Sequence, residues 1–582
     1  MPLTDIRLTQ DEQLLNLLSK EGRRKSTGNQ ADGITSATFQ KELWVTICLL
    51  LVDLCEKFAF YGIVCNMILF CTIKLGYHNY QAAMLNLCFV GACMTTPILM
   101  GWLAECPVGR IRLVYICTLL HFIGTALLPV VAFPFEDFFI DKRYVLHTLA
   151  KKEQKALFYI GLLAICLGSG GIRALVCPLS VYNLDGHGEK ELLSFFNWFY
   201  WLVNLSSAIV FVSISYIQQS VAKNLGFLIP FVSVLMALIT IHMTRSEMIY
   251  QPPEGSCLLT VWGIVANALK LCLIKCRYFS GNVTNWLDHA KENYGGQYSE
   301  SQVESTKSLV RLFPLFAFQI IYRMCVMQIP SGYYLQTMNS NLNLNGFFLP
   351  IAAMNVISII PSLILVPFLE CLNTCLFSAK TSGWPITVCT VVGHTSATLS
   401  VMVAGFFELR RKHFPVVEQT LSGKDLLVSS MPCVHLAPQY IFLGVAEALV
   451  APSCSFVIFK FTPGRIRGIA LHVSTLFSGA GCMMGAFLVQ VVYTASQGDW
   501  FPNVLNEGKL ERFYFFLASL MMINTLGFWF ISQRFNTLQQ DDNEGFRGSL
   551  LQEQLLQHEK SLKFYDSILD CPSFLSPVET LL

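Results

Sequence analysis

An all-α polytopic membrane protein built as two six-helix bundles, with about 12 transmembrane helices, is the fold class this chain predicts. Three observations carry that expectation. Of the 582 residues, 53% are hydrophobic and only 13% are charged, against roughly 25% charged in ordinary soluble domains. Apolar runs recur along most of the chain, each long enough to cross a bilayer, for which roughly 20 helical residues cover about 30 Å of hydrocarbon. A polar stretch over 244–307 then divides these runs into two equal sets.

The first apolar run begins near Leu43, ends near Ile73, and carries Asp53, Glu56 and Lys57 inside it. Spacings of three and four residues put the three charges on one helical face. An ionisable group at mid-membrane costs at least about 2.5 to 3.5 kcal/mol on insertion scales, so such groups line a polar cavity and pair there. Snorkelling to the interface is the competing reading. Roughly ten apolar residues precede Asp53, which sets it well inside the span. The following helices begin near Tyr80, Ile111, Lys155, Leu192 and Lys223, and the second set near Ser308, Asn345, Gly383, Val434, Arg465 and Glu511.

The domain plan is a cytosolic N-terminal tail (1–42), a first bundle (43–243), a cytosolic linker (244–307), a second bundle (308–534) and a cytosolic C-terminal tail (535–582). Within the linker, Cys257 to Ile274 is apolar but interrupted by Lys270 and preceded by Pro252-Pro253. It reads as a lateral interfacial helix rather than an extra span. Lys and Arg in the short connections favour the N-terminus inside, with Arg410-Arg411-Lys412 as an exception on the opposite side. The polar N-terminus lacks the early apolar core of a signal peptide. Plasma membrane residence is the expected location; Leu581-Leu582 after Glu579 leaves an endolysosomal sorting signal open.

Several function classes fall away. A net charge of +2 gives no pull toward nucleic acid. The 21 cysteines fall mostly in apolar runs, and Cys272/Cys276 and Cys371/Cys375 lack zinc spacing and partner histidines. No phosphate-binding loop is present, which removes an ATP-driven pump. His121, His147, His187, His394, His413, His435 and His472 are scattered and form no ligand set or catalytic triad. The expectation is a monomeric secondary transporter, not an enzyme, with no cofactor and with a small-molecule solute and the lipid bilayer as partners.

Two bundles joined by a linker imply a solute site at mid-membrane between them. Polar residues inside several spans fit that plan. Arg173 follows Gly168-Ser-Gly-Gly171 on the fourth span, where small residues allow close helix approach. The seventh span contributes Arg311, Arg323 and Gln328, the eighth Asn355 and Glu370, and the tenth Glu447. Arg311 and Glu370 read either as a gating salt bridge or as two separately solvated interfacial charges.

These residues resemble the proton-coupled oligopeptide transporter family, solute carrier family 15, of the major facilitator superfamily, over nearly all the transmembrane length. Asp53-x-x-Glu56-Lys57-Phe-x-Phe-Tyr61-Gly62 is similar to that family's E-x-x-E-R-F-x-Y-Y-G, and Gly101-Trp-Leu-Ala-Glu105-x-x-x-Gly109-Arg110 to the superfamily loop motif between helices two and three. Gly168-Ser-Gly-Gly-Ile-Arg173 resembles G-T-G-G-I-K, and Phe199-Tyr-Trp-Leu-Val-Asn204-Leu-Ser-Ser207 resembles F-Y-x-x-I-N-x-G-S. Pro438-Gln-Tyr440 with Gly444-Val-Ala-Glu447 follows the start of the tenth helix.

The resemblance implies proton-driven symport of di- and tripeptides, or peptide-like solutes, by rocking of the two halves. It implies that Asp53, Glu56, Lys57 and Arg173 form the proton-coupling cluster, and that Tyr61, Asn204, Gln328, Asn355 and Glu447 belong to the substrate cavity, where Arg323 stands in place of a tryptophan common in the family. Departures are equally specific. Val64 stands where the family holds the peptide carboxylate with an arginine, Phe456 where it holds the amino terminus with a glutamate, and Phe70 where it has a cavity tyrosine. Leu87, with Asn86 beside it, replaces a second-helix histidine. Losing both ends of such a clamp removes charge-assisted bonds of about 1.5 to 3 kcal/mol each. Arg323 is an addition that either pairs with Glu447 or faces the cavity as a fork for an anion. A carrier of another organic anion, and a non-transporting receptor or scaffold that keeps the fold, are therefore the alternative readings.

Overall fold

The computed structural model describes residues 44–45, 47–105, 109–132, 150–182, 189–217, 225–244, 256–275, 285–378, 386–421, 424–463, 466–502 and 505–533. Helix α1 spans 47–73. It is followed by α2 (Asn79–Glu105), α3 (Arg110–Ala132), α4 (Lys151–Tyr182), α5 (Glu189–Tyr216) and α6 (Leu228–Thr244). After α7 (Cys257–Lys275) come α8 (Glu300–Arg311), α9 (Phe313–Val326), α10 (Tyr334–Met338), α11 (Asn355–Ser378), α12 (Ile386–Lys412), α13 (Ala437–Phe461), α14 (Arg467–Ala495) and α15 (Leu510–Gln533). Among the described residues nine helical runs are long and apolar enough to cross a membrane, with Glu300–Met338 counted as one. With α1, α5 and α6 they supply the twelve spans of an all-α polytopic membrane fold. Large apolar side chains such as Leu163, Ile364 and Phe487 stay exposed on these helices, as a lipid solvent allows. Two compact units divide at Met522 and Ile523, inside α15.

Most helix starts fall within a few residues of those expected, but the eighth span begins ten residues late. A hairpin of β1 (Asn343–Leu344) and β2 (Phe347–Phe348) occupies the interval, followed by a 3-10 turn at Ile351–Met354. Its turn is Asn345-Gly346, both at positive φ (52° and 91°), the Asn-Gly chemistry that two-residue hairpins favour. A second hairpin, β3 (Val416–Leu421) with β4 (Lys424–Ser429), was not expected either.

The seventh span is broken twice. Helix α8 starts at Glu300, eight residues before the expected Ser308, and Leu312 with Pro314 separates it from α9. A π-turn at Ile329–Tyr333 then separates α9 from α10. Pro330 cannot donate a backbone bond there, and its own carbonyl accepts from the Asn86 amide of α2 at 2.8 Å. Such a break is tolerated in a membrane when other helices satisfy the backbone.

The stretch between the two sets of spans contains the helix α7. Glu105 at the end of α2 accepts from the Ser256 hydroxyl at 3.0 Å and the Leu258 N–H at 3.4 Å. A carboxylate at a helix N-terminus is stabilising. Ile264 and Ala268 of α7 bury against Leu287, Ala290 and Val303. Above that apolar patch Lys291 and Lys307 both reach Asp288, at 3.1 and 2.6 Å. Glu304 closes the network, 2.7 Å from Lys291 and 2.8 Å from Lys307. Burial pushes Asp288 up, but its bonds to Lys307 and Lys291 outweigh that and hold it below the usual aspartate range. Burial also disfavours charged Lys291, yet its acidic partners hold that ammonium above its usual range.

Two cations of the basic triplet that departs from the inside-positive pattern are paired where they stand. Arg411 is fully buried, 2.7 Å from Glu408, and its guanidinium also donates to Asn506 Oδ1 at 2.7 Å and the Asn339 carbonyl at 3.2 Å. Lys412 lies 2.5 Å from Glu511. Two of the three cations therefore work inside the fold, which loop-charge counting does not see.

Candidate functional site

Four charges converge where α1 meets α4. On α1, Lys57 Nζ lies 3.0 Å from Glu56 Oε2 and 3.6 Å from Asp53 Oδ1. From α4, the Arg173 guanidinium reaches Glu56 Oε1 at 3.0 Å through Nη2 and 3.1 Å through Nε. The Ser169 hydroxyl donates to the same oxygen. Asp53 and Glu56 are buried, while the side chains of Lys57 and Arg173 stay 18% and 14% exposed. Two acids against two bases leave no net charge, as a buried site requires.

Close packing makes the convergence possible. A Cβ at Gly168 would lie 2.6 Å from the Cys117 carbonyl oxygen and the His121 Cβ of α3. Any larger residue there would push α4 off α3 and carry Ser169 and Arg173 away with it. His121 itself is buried, and among the described residues neither ring nitrogen has a hydrogen-bond partner. Arg173 lies over the Phe60 ring, 4.2 Å from its centroid, a favourable cation–π arrangement.

Phe60 also lines a cavity of about 180 Å³ between the two sets of helices. Tyr61, Asn204, Arg323, Asn355 and Glu447 line it as well. Gln328 does not; its amide donates to the Met324 carbonyl at 3.0 Å within the broken seventh span. Arg323 both pairs and faces the cavity, so the two readings of it are not exclusive. Its Nη1 contacts Glu447 at 3.3 and 3.4 Å. The Tyr322 hydroxyl donates to Glu447 Oε1 at a shorter 2.7 Å. The Asn204 amide is turned to the Tyr200 carbonyl at 2.8 Å, while Asn355 Oδ1 is buried without a partner among the described residues.

Arg311 ends α8 on an exposed face, and the side chains of Glu370 and Phe456 lie outside those described. Val64 lines the cavity wall and Phe70 packs among aromatic rings, 5.4 Å from Phe158 and 5.1 Å from Phe227. Ser169 and Tyr322 were not singled out from the sequence. A serine inside a glycine run reads as a packing spacer, and a tyrosine beside Arg323 points about 100° around the helix from it. Among the described residues no cluster of metal-ligating side chains occurs.

The family described as PTR2, the POT family, matches residues 111–504. Solute carrier family 15 member 5 of Homo sapiens is 54% identical over 583 residues, covering 100% of each chain. Among solved structures, the POT family transporter PepTSo superposes with a TM-score of 0.65 at 18% identity, over 85% of this chain and 98% of that one. A POT family transporter in complex with 5-aminolevulinic acid gives 0.59 at 15% identity, over 83% and 94%.

Proposed function

Because the chain belongs to the POT family, we propose that it is a proton-coupled symporter of oligopeptides or peptide-like solutes, working by alternating access. It is a multi-pass membrane transporter rather than an enzyme, as its relatives are. The observation that carries the coupling is the union of charge cluster and cavity through one ring: Phe60 lies under Arg173 and also lines the cavity. A solute that shifts the cavity wall therefore bears on the Arg173–Glu56 pair. The proton rides on Asp53 or Glu56 when that carboxylate parts from its cation, while Arg173 keeps its charge at physiological pH. Rocking of the halves exposes the cavity to each side in turn. The protein works as a monomer, with both tails cytosolic and the plasma membrane as its site.

The test is uptake into proteoliposomes of a wide solute panel under an imposed inward proton gradient. Accumulation should follow the gradient, and in the double variant Asp53→Asn/Glu56→Gln its pH dependence should vanish. Unchanged pH dependence in that variant would overturn the assignment of the proton. No accumulation of any solute by the parent would favour a non-transporting receptor.

A further inference from the structure

We propose that the cavity takes a solute with a single carboxylate head and an apolar, amide-bearing body, of the class of N-acylated amino acids, in preference to a free zwitterionic peptide. The proposal rests on the transport reading and names the solute class of that site.

Charge placement is the first reason. Among the described lining residues only Arg323 and Glu447 are charged, and they stand 3.3 Å apart on one wall. The lining from α1, α2 and α5 offers Val64, Cys65, Val90 and Phe211 with the neutral polar groups of Tyr61, Asn204 and Ser207, and no charge. The two charged ends of a dipeptide are separated by about 7 Å when extended. One end would be placed against that uncharged wall, where a charge without a counter-ion costs on the order of several kcal/mol even after relaxation. A one-headed solute avoids the problem.

The sign of the head follows from the hydrogen bonds. Glu447 Oε1 already accepts from the Tyr322 hydroxyl at 2.7 Å, so it keeps a neutral partner if Arg323 turns away. Arg323 contacts Glu447 only through Nη1, at 3.3 and 3.4 Å, and its Nε has no partner among the described residues. A guanidinium held so loosely by one nitrogen has donors left for a planar, two-oxygen acceptor. An incoming carboxylate fits that vacancy in its bonding, whereas an ammonium would meet Arg323 as a like charge. Solute and cotransported proton together are then electrically neutral.

The amide in the body answers Asn355. Its side chain is buried and lines the cavity, with Oδ1 unpartnered among the described residues. A buried acceptor left unmet is costly, and a solute N–H supplies the missing donor. Size agrees: about 180 Å³ is below the roughly 300–1,000 Å³ of pockets for drug-sized ligands, so the solute is compact.

The experiment uses the full-length protein in nanodiscs and in proteoliposomes with an inward proton gradient. The probes are N-acetyl-leucine, leucine methyl ester, 4-methylpentanoate and the free dipeptide Leu-Leu. The parent should bind N-acetyl-leucine at least tenfold more tightly than the ester or the dipeptide, and more tightly than 4-methylpentanoate, which lacks the amide. Arg323→Gln should lose that binding tenfold or more, and Asn355→Leu should erase the preference over 4-methylpentanoate alone. If Arg323→Gln fails to fold, Val64→Arg carries the test: a cation on the far wall should raise dipeptide binding relative to N-acetyl-leucine. Dipeptide or ester binding equal to or tighter than N-acetyl-leucine in the parent, or no N-acetyl-leucine binding, overturns the proposal. Binding of N-acetyl-leucine without uptake would refute transport while leaving the solute class standing, and uptake of the dipeptide alone would do the reverse.

Discussion

Glu56 is held by more partners than any other acid of the charge cluster: Arg173 through two nitrogens, Lys57, and the Ser169 hydroxyl. Such a carboxylate is only as stable as its partners, because removing one member of a buried ion pair leaves an uncompensated charge at a cost of about 3 to 5 kcal/mol. Arg173→Ala should therefore lower the midpoint of thermal unfolding in detergent sharply, and Glu56→Gln added to it should recover most of the loss. Arg173→Ala also strips the guanidinium from the Phe60 ring, a smaller term of about 0.5 to 2 kcal/mol that the second substitution cannot restore. A double variant no more stable than the single would mean that the pair does not hold the helices together. The acids and base of α1 were legible in the sequence because helical spacing alone puts them on one face. The meeting of Glu447 with Tyr322 was not, since it depends on how α9 and α13 are rotated against each other, and no local pattern encodes that rotation.

At the scale of elements, α7 is clamped to the start of the seventh span by the Asp288, Lys291, Lys307 and Glu304 network over a small apolar patch. Because Asp288 is held below its usual range, its share of stability is present above the unfolded-state value of about 3.9 and is lost as pH falls through the lower folded value. Lys291, held above its usual range, works with the opposite sign: its share is full below about 10.4 and is lost as pH rises through the higher folded value. Between those limits the clamp is insensitive to pH. Asp288→Asn removes two charge-assisted bonds and should cost about 2 kcal/mol locally. Hydrogen exchange across 257–275 at neutral pH should rise in the variant, while exchange in α12 stays unchanged. Equal protection of α7 in parent and variant would show that the apolar patch alone suffices. The existence of α7 was readable from an apolar run too broken to span a bilayer. Its fastening was not, because Asp288, Lys291 and Lys307 lie in a polar stretch whose charges look like any solvated linker until folding brings them together. The hairpins escaped for a related reason: their apolar strand residues flank the membrane runs and merge with them by composition.

Across the whole molecule the two sets of helices touch mainly along α2 with α14 and α5 with α11, and the contacts differ in kind along that seam. Tyr80 stacks on Tyr493 with ring centroids 3.6 Å apart, and the Trp201 indole N–H donates to the Leu363 carbonyl at 3.1 Å. Helices α2 and α14 approach backbone to backbone. A Cβ at Gly479 would stand 2.6 Å from Thr95 Cγ2 and 2.9 Å from the Gly91 carbonyl oxygen. The proposed rocking of the two halves requires this approach to form and to part in each cycle, and only the small residues let it form. Gly479→Val should hold α2 and α14 apart. The expected result is a loss of at least tenfold in the initial rate of proton-driven uptake, with solute binding within about threefold of the parent and little change in unfolding temperature. Binding survives because Arg323 meets α14 at Gly481, about 200° around the helix from Gly479, and Glu447 stands on α13. Parent-like uptake by Gly479→Val would mean that the close approach of α2 and α14 is no part of the working cycle. Loss of binding together with uptake would instead place the damage in the fold.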